Sequence, residues 1–383
     1  MSQVMTYLLY AAGIAFAFGL VIFVHEFGHF FVAKKSGVKV DRFSFGLGPE
    51  LIGFQWGETR YCLAVLPLGG EVRMAGEMVD GDEEAPPPDP NVDHSREFFH
   101  QPWYRRVAIA FAGPFMNYAL AILIFFGMLM IWGEPTQLNK TEIGEVVTGM
   151  PAEKAGLLKG DKVLKVQDQT VDDFTDLALK IHERPEMETS ILLERNGAQQ
   201  TIKVTPQKDA EGKNGLIGIK PAEPVVERTK IGAVASGKKA VWQCWNISAF
   251  TVYYLWHKIA AHERPDVAGP LGIGQVIVKA VKSGPEDFFY LIGLISVAIG
   301  LFNLFPVPML DGGHVLYYVI EGIRGRPLSN KVIAKANMVG LAMLLSLLVF
   351  ATVNDVQRFK TGRAEKAAAA ASQSPAASTP VAK

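Results

Sequence analysis

The sequence predicts a polytopic α-helical membrane protein with four transmembrane helices, a β-rich loop between the first two, and an α+β domain inserted between the second and third. Three observations carry this prediction. The 383 residues are 49% hydrophobic and only 20% charged, with a positive mean hydropathy of +0.18, more apolar than a soluble chain of this size requires. Four stretches, residues 1–25, 107–133, 288–310 and 336–354, contain no Asp, Glu, Lys or Arg, and each meets the roughly 17–25 residues that a bilayer-spanning helix needs. The long segment 134–287 between the second and third stretches has the mixed polar composition of a domain that folds in water.

Taken in order, residues 1–33 form the first transmembrane helix. The stretch has no basic leader and no small-residue cleavage site before its charged motif, so it reads as a retained span rather than a signal peptide. Residues 34–106 form a loop whose first half, 37–76, is rich in glycine and aromatic residues with short alternating pieces, the pattern of irregular β-hairpins. Its acidic, proline-rich run DGDEEAPPPDP cannot bury a core and reads as a solvated linker. Residues 107–133 form the second helix and 134–222 the α+β domain. That domain takes a strand at 142–147, a short helix from Pro151, a turn at Gly160-Asp161, a strand at 163–166, a helix at 173–183, and a hairpin of 190–194 with 201–204 closed near Asn196-Gly197. Residues 223–287 are expected to be an exterior linker carrying an amphipathic helix, 240–256, that lies in the membrane interface. Polar Gln243, Asn246, Ser248 and Thr251 interrupt it, and its Trp and Tyr residues suit the headgroup region. Residues 288–314 form the third helix, 315–335 a cytoplasmic connection, 336–354 the fourth helix and 355–383 a disordered, alanine-rich tail.

Orientation follows from the basic residues beside the short polar segments. Lys34, Lys35, Lys39, Arg42, Arg105, Arg106, Arg324, Arg326, Lys331 and Lys335 place residues 34–106 and 315–335 in the cytoplasm, with the N-terminus and 134–287 outside. Arg358, Lys360, Arg363 and Lys366 oppose this scheme and are outnumbered. Lys+Arg and Asp+Glu are both 38, so no basic surplus points to nucleic acid. Cys62 and Cys244 are too few for a disulfide framework, and this topology puts them on opposite sides of the membrane.

The most informative residues are His25-Glu26-Phe27-Gly28-His29 at the end of the first span. Positions i and i+4 share a helical face, so two imidazoles reach one metal while the glutamate between them stays free to act as a base. Ionisable groups inside a membrane cost a few kcal/mol each and are rarely present without function. A hydrogen-bonded cluster or a proton relay would use the same residue types. A catalytic zinc has three protein ligands, and the third span ends in Asn303-Leu-Phe-Pro-Val-Pro-Met-Leu-Asp311-Gly-Gly-His314. Pro306 and Pro308 break the helix there, and Gly312 and Gly313 allow close backbone approach. Spacing alone does not choose between Asp311 and His314. Topology permits Asp311 to share a depth with His25 and His29 only if 240–256 does not cross the membrane, because a further crossing would put it on the far side of a core about 30 Å thick.

HEFGH in the first span, FAGPFMN (111–117) in the second, EIGEVVTGMPAEKAGLLKGDKVLKV (142–166), AGPLGIGQV (268–276) and NLFPVPMLDGG (303–313) together resemble the site-2 protease family (M50) of intramembrane zinc metalloproteases, in particular its bacterial sigma-factor-regulating members. The resemblance covers nearly the whole of 7–354. It implies one Zn2+ per chain held by His25, His29 and Asp311, with Glu26 activating the water. It also implies that the glycine-rich loop, including Gly69 and Gly70, is a membrane-re-entrant β structure, and that Asn303, beside Pro306 and Pro308, helps hold substrate. The inserted domain would be PDZ-like, with Ile143 and Gly144 at the loop that captures peptide C-termini. Implied substrates are single-span membrane proteins such as anti-sigma factors or remnant signal peptides, cleaved in the bacterial inner membrane near its cytoplasmic side. Many regulator-type members carry two PDZ domains in tandem, whereas the exterior segment here has room for one. A peptide-binding scaffold with a structural metal would not need Glu26. A metal or proton transporter would have no evident use for the inserted domain, and the chain shows no sign of inverted repeats.

Overall fold

The computed structural model describes residues 2–76, 94–138, 140–209, 212, 214–223, 225–261 and 269–372. The acidic proline-rich run and the last eleven residues, 373–383, lie outside the described residues. Helix α1 (Gln3–Lys35) is followed by strands β1 (Val40–Trp56) and β2 (Thr59–Met74) and by helix α2 (Trp103–Ile131). A second compact unit, 132–231, holds β3 (Glu134–Gln137), β4 (Ile143–Val146), α3 (Pro151–Lys154), β5 (Lys162–Val166), β6 (Gln169–Thr170), α4 (Phe174–His182), β7 (Thr189–Arg195), β8 (Ala198–Val204), β9 (Gln207–Lys208), β10 (Gly215–Leu216), β11 (Ile219–Pro221) and β12 (Val226–Thr229). The first unit resumes with α5 (Ala233–Ala260), α6 (Pro270–Ser283), α7 (Pro285–Asn303), α8 (Asp311–Arg324) and α9 (Asn330–Ser372).

Among the described residues, four helices are long and apolar enough to cross a membrane: Gln3–Lys35, Trp103–Ile131, Pro285–Asn303 and Lys331–Arg358. Ser2 starts α1 by accepting the Met5 amide. Small residues bring α1 and α2 into backbone contact, as expected where lipid supplies no hydrophobic drive between helices. A Cβ on Gly28 would collide with the Ala112 carbonyl. Between these helices the chain folds β1 and β2 into a doubled antiparallel ribbon. Phe43 pairs with both Tyr61 and Val72, and Ser44 with both Cys62 and Glu71, so the start of β1 is central, the 70–74 end of β2 is an edge, and the far half of β1 lies on the opposite edge. Phe43 and Phe45 seat the ribbon on α1 against Phe30 and Phe23, with ring centroids 5.1 Å (Phe30–Phe43), 5.8 Å (Phe23–Phe43) and 6.4 Å (Phe23–Phe45) apart. At its turn, Glu58 binds Lys34 at 2.7 Å and both guanidinium nitrogens of Arg96 at 2.8 Å. Those cations, Arg96 first, lower its carboxyl from 4.5 to about 2.

Three expectations for the first unit need correction. The segment taken as an interfacial helix, 240–256, is part of the longer α5, which packs along α2: Ala240 and Cys244 are buried with Ala121 and Phe125, and the Ser248 hydroxyl lies 2.8 Å from the Tyr118 hydroxyl. Within the helix, Ser248 and Thr251 satisfy their hydroxyls on the carbonyls of Cys244 and Ile247. The third span ends at Asn303 rather than 314, and the expected cytoplasmic connection begins as helix α8. The fourth helix runs on to Ser372, through residues expected to be disordered. The alanine run there is low in complexity yet has the highest helix propensity. Neither α6 nor its buried cap was foreseen: the Asp355 carboxylate on α9 accepts the amides of Gly269 and Gly272 at 3.0 and 2.8 Å.

The second unit is an α+β fold with its own core, including Ile143, Leu157, Leu177, Ile191 and Leu193. Its sheet runs β6-β5-β7-β8, all antiparallel, with β4–β11, β9–β10 and β3–β12 as separate pairs. Asp173 caps α4 through the Asp176 amide at 2.9 Å, and Asn196 and Gly197 both take positive φ in the β7–β8 turn. Buried Asp161 is held by Arg195 at 2.7 Å. The unit is wider than 134–222, because β12, placed in the linker by sequence, pairs with β3 and closes it.

Candidate metal centre

His25 and His29 lie one turn apart on α1, and both are buried. Their Nε2 atoms are 3.3 Å apart. Asp311, the first residue of α8, brings Oδ2 to 3.1 Å from His25 Nε2 and Oδ1 to 3.5 Å from His29 Nε2. The outer ring nitrogens are held by α2. His29 Nδ1 donates to the Ile109 carbonyl at 2.8 Å, which leaves Nε2 with a free lone pair. His25 Nδ1 lies 3.1 Å from the side-chain amide of Asn117. The contacting atom is Asn117 Nδ2, while Asn117 Oδ1 is buried without a hydrogen bond; rotating the amide to bring Oδ1 to the ring satisfies that oxygen and gives His25 the same tautomer. Asn117 is wholly buried, and its backbone oxygen accepts from Ser296 Oγ of α7 at 2.8 Å.

Three lone-pair donors converging without protons to share are repulsive unless a cation joins them. Tetrahedral zinc with bonds of about 2.0–2.1 Å separates its ligand atoms by about 3.3 Å, which matches the observed 3.1, 3.3 and 3.5 Å. Asp311 Oδ2 is buried and makes no hydrogen bond of proper geometry, as expected of an atom kept for a metal. Gly113 of α2 faces the pair, and a Cβ there would strike His29 Nε2 and His25 Cε1. The residues therefore fit zinc. His314 does not join the cluster; its ring lies against Tyr317 and Tyr318.

The remaining site residues fall in three places. Glu26 follows His25 around the helix and faces the ribbon, where Gly70 abuts it: a Cβ on Gly70 would touch Glu26 Cγ and lie 3.1 Å from Cδ. Gly69, beside it, takes φ +122. Asn303 ends α7, and Pro306 and Pro308 lie in the irregular segment 304–310 that leads to Asp311. Gly312 and Gly313 pack on that segment so closely that any side chain would meet the carbonyls of Leu304, Phe305 and Val307. Ile143 and Gly144 belong to the other unit. Ile143 is core, its amide donating to Asp161 and its carbonyl accepting from Gly160, and a Cβ on Gly144 would meet the Pro221 carbonyl. Sequence reasoning quoted FAGPFMN without giving Asn117 a role. A lone asparagine in an uncharged span was the available signal.

The model of peptidase family M50 matches residues 13–347. The chain belongs to peptidase family M50. Among similar proteins, a chain of Rhizobium meliloti named as a zinc metalloprotease is 34% identical, the match covering 89% of this chain and 94% of that one. Metalloprotease MmpA of Caulobacter vibrioides is 32% identical over 92% and 96% of the two chains. A solved PDZ domain of an SdrC-like protein from Listeria monocytogenes is 17% identical, covers 22% of this chain and 90% of its own, and superposes with a TM-score of 0.20. This M50 peptidase is a zinc metalloendopeptidase of the site-2 type and a membrane protein.

Proposed function

We propose that the protein cleaves single-span membrane proteins within their transmembrane segments, with one zinc per chain held by His25, His29 and Asp311 and Glu26 as general base. The observation that carries this reading is the convergence of the three ligands beside a β edge, 70–73, that pairs on one side only among the described residues, with Glu26 against Gly70 of that edge. When bound, the ion supplies Lewis acidity that polarises the scissile carbonyl and brings the pKa of a water toward about 7. Glu26 takes the proton of the attacking water and returns it to the leaving amine. Ile109 holds His29 in the tautomer that leaves Nε2 free, and Asn117, with its amide rotated to present Oδ1, does the same for His25.

A helical substrate hides its carbonyls in internal hydrogen bonds and must unwind before attack. The 70–73 edge offers main-chain partners to the unwound strand and delivers it next to Glu26. Re-entry of the ribbon into the membrane is supported by its seating on α1 between Gly19 and Phe30 and by the outward display of Ile52 and Trp56, 72% and 73% exposed. Asn303, with Pro306 and Pro308, would hold the other side of the unwound segment. Membership of the family supports residence in a bacterial inner membrane, and the flanking charges support residues 132–231 outside with the metal toward the cytoplasmic face. The PDZ-like reading of 132–231, with Gly144 near a peptide carboxylate, would make that unit a filter against large ectodomains or a sensor of new C-termini. Anti-sigma-like proteins and remnant signal peptides are the expected substrate classes.

The test uses protein purified in detergent with a model single-span substrate bearing a short ectodomain. Wild type is expected to cleave it, and Glu26→Gln to retain zinc and lose cleavage. Chelation should abolish cleavage by wild type, and added Zn2+ should restore it. Cleavage by Glu26→Gln at the wild-type rate would remove Glu26 as the base.

A further inference from the structure

We propose that the buried ion pair between Arg106 of α2 and Glu321 of α8 is the positioning device that brings Asp311 to the histidines, by fixing the register of α8 along α2. The inference rests on the assignment of His25, His29 and Asp311 as the zinc ligands.

Two of the three ligands need no such device. His25 and His29 are spaced by a single helix, and their shared geometry follows from the i, i+4 repeat. Asp311 arrives on a different helix, at the end of the irregular segment 304–310, where Met309 takes a positive φ of 74°. Such a segment fixes little by itself, so the depth of Asp311 must be set by what α8 grips. The gripping face is Val315, Tyr318, Glu321 and Gly322, and it meets the first turns of α2. Val315 and Tyr318 pack in one cluster with Ile109 and Ala110, and Gly322 lies under the Trp103 ring, where a Cβ would clash.

Apolar contacts of this kind are non-directional and tolerate sliding by a fraction of a turn. The Arg106 side chain does not. It is only 5% exposed; Nη2 donates to Glu321 Oε1, Nε donates to the Gln101 carbonyl at 3.1 Å, and the guanidinium sits 4.8 Å from the Tyr318 ring centroid. A shift of α8 would leave a buried charge without its partner, so only one register is permitted. The same helix α2, one turn farther on, holds His29 through the Ile109 carbonyl and then cradles both histidines at Gly113. Arg106 is thus three residues from the anchor of one ligand and, through Glu321, ten residues along α8 from another. One helix references all three ligands. Replacing a buried ion pair by apolar side chains of similar size is often neutral for stability, and a register role is the best attested reason for such pairs.

The experiment measures Zn2+ affinity in detergent by competition with a chelator, together with the thermal midpoint of the zinc-free protein. Asp311→Ala serves as the reference for loss of a ligand. The double variant Arg106→Met/Glu321→Met is expected to fold with a midpoint near that of wild type but to bind Zn2+ about 10- to 100-fold more weakly, the range for changes behind a metal ligand. Arg106→Lys keeps the charge and loses the fork, and should weaken Zn2+ binding by a smaller factor. Zn2+ affinity of the double variant within about twofold of wild type would overturn the proposal; should the double variant fail to fold, unchanged affinity in Arg106→Lys would do so. If Asp311→Ala binds Zn2+ as wild type does, the ligand assignment fails instead, whatever the pair does.

Discussion

Asn117 illustrates how much of a metal site lies behind its ligands. Zinc needs the lone pair of His25 Nε2, and that lone pair exists only while the ring proton stays on Nδ1; Asn117 Nδ2 is 3.1 Å from that atom, and the amide holds the proton there once rotated to present its otherwise unbonded Oδ1. Asn117 is in turn tied to α7 through Ser296, so three helices agree on one imidazole. Asn117→Ala removes the anchor and leaves a buried void beside the ring. We expect zinc affinity to fall about 10- to 100-fold, with Asn117→Asp, which keeps an acceptor at the same atom, retaining most of it. Chelator competition on the detergent-solubilised protein decides this. Equal zinc affinity in wild type and Asn117→Ala would assign the amide a packing role only.

At the scale of elements, the ribbon of β1 and β2 is the part whose role depends most on register. Only the doubled pairing, in which the start of β1 lies between 60–63 and 70–74, puts against Glu26 an edge, 70–73, that no other described strand pairs with. Gly70 occupies the contact point, and a valine there would press on Glu26 Cγ and on the Ser44 carbonyl. We expect Gly70→Val to lower the turnover of a single-span substrate by roughly 100-fold, the order of cost of misplacing a catalytic group by about 1 Å, while leaving bound zinc unchanged because the ligands are on helices. Full turnover in this variant would argue against the edge as the delivery route. Much of this architecture was legible in the sequence, and the reasons are physical. Uncharged stretches of membrane length marked all four apolar helices, and the i, i+4 spacing put His25 and His29 on one helical face, where the structure has them. The glycines after Asp311 announced the close packing that the carbonyls of residues 304–310 now explain. What escaped were elements whose signal is cooperative. The α5 helix hides its hydroxyls on its own carbonyls, α6 is completed by Asp355 from more than eighty residues away (|i−j| = 86 and 83), and the α8 face takes meaning only against α2.

The whole molecule combines a membrane unit that builds the metal centre and an insert that builds none of it. Every proposed zinc ligand and every group proposed to anchor one, from Ile109 and Asn117 to Arg106, lies in 1–131 or 232–383, whereas residues 132–231 hold a separate core. The ends of the insert are paired with each other: Glu134 meets Thr229 and Gln137 meets Val226 across β3 and β12. An insert closed in this way at its neck imposes little on the chain that carries it, and a domain of about 100 residues has enough interior to fold alone. The fragment 132–231 should therefore unfold cooperatively in aqueous buffer without detergent, as followed by circular dichroism. In the complementary variant, with 134–229 replaced by a short glycine-serine turn, zinc affinity should stay within about twofold of wild type, because no ligand or anchor has been touched. Cleavage of a substrate with a short ectodomain should persist as well. If the insert is a size filter, this variant should also accept a substrate whose folded ectodomain the intact protein refuses. Loss of zinc from the variant would show instead that the metal centre depends on the insert, and the division of labour drawn from the two cores would fail.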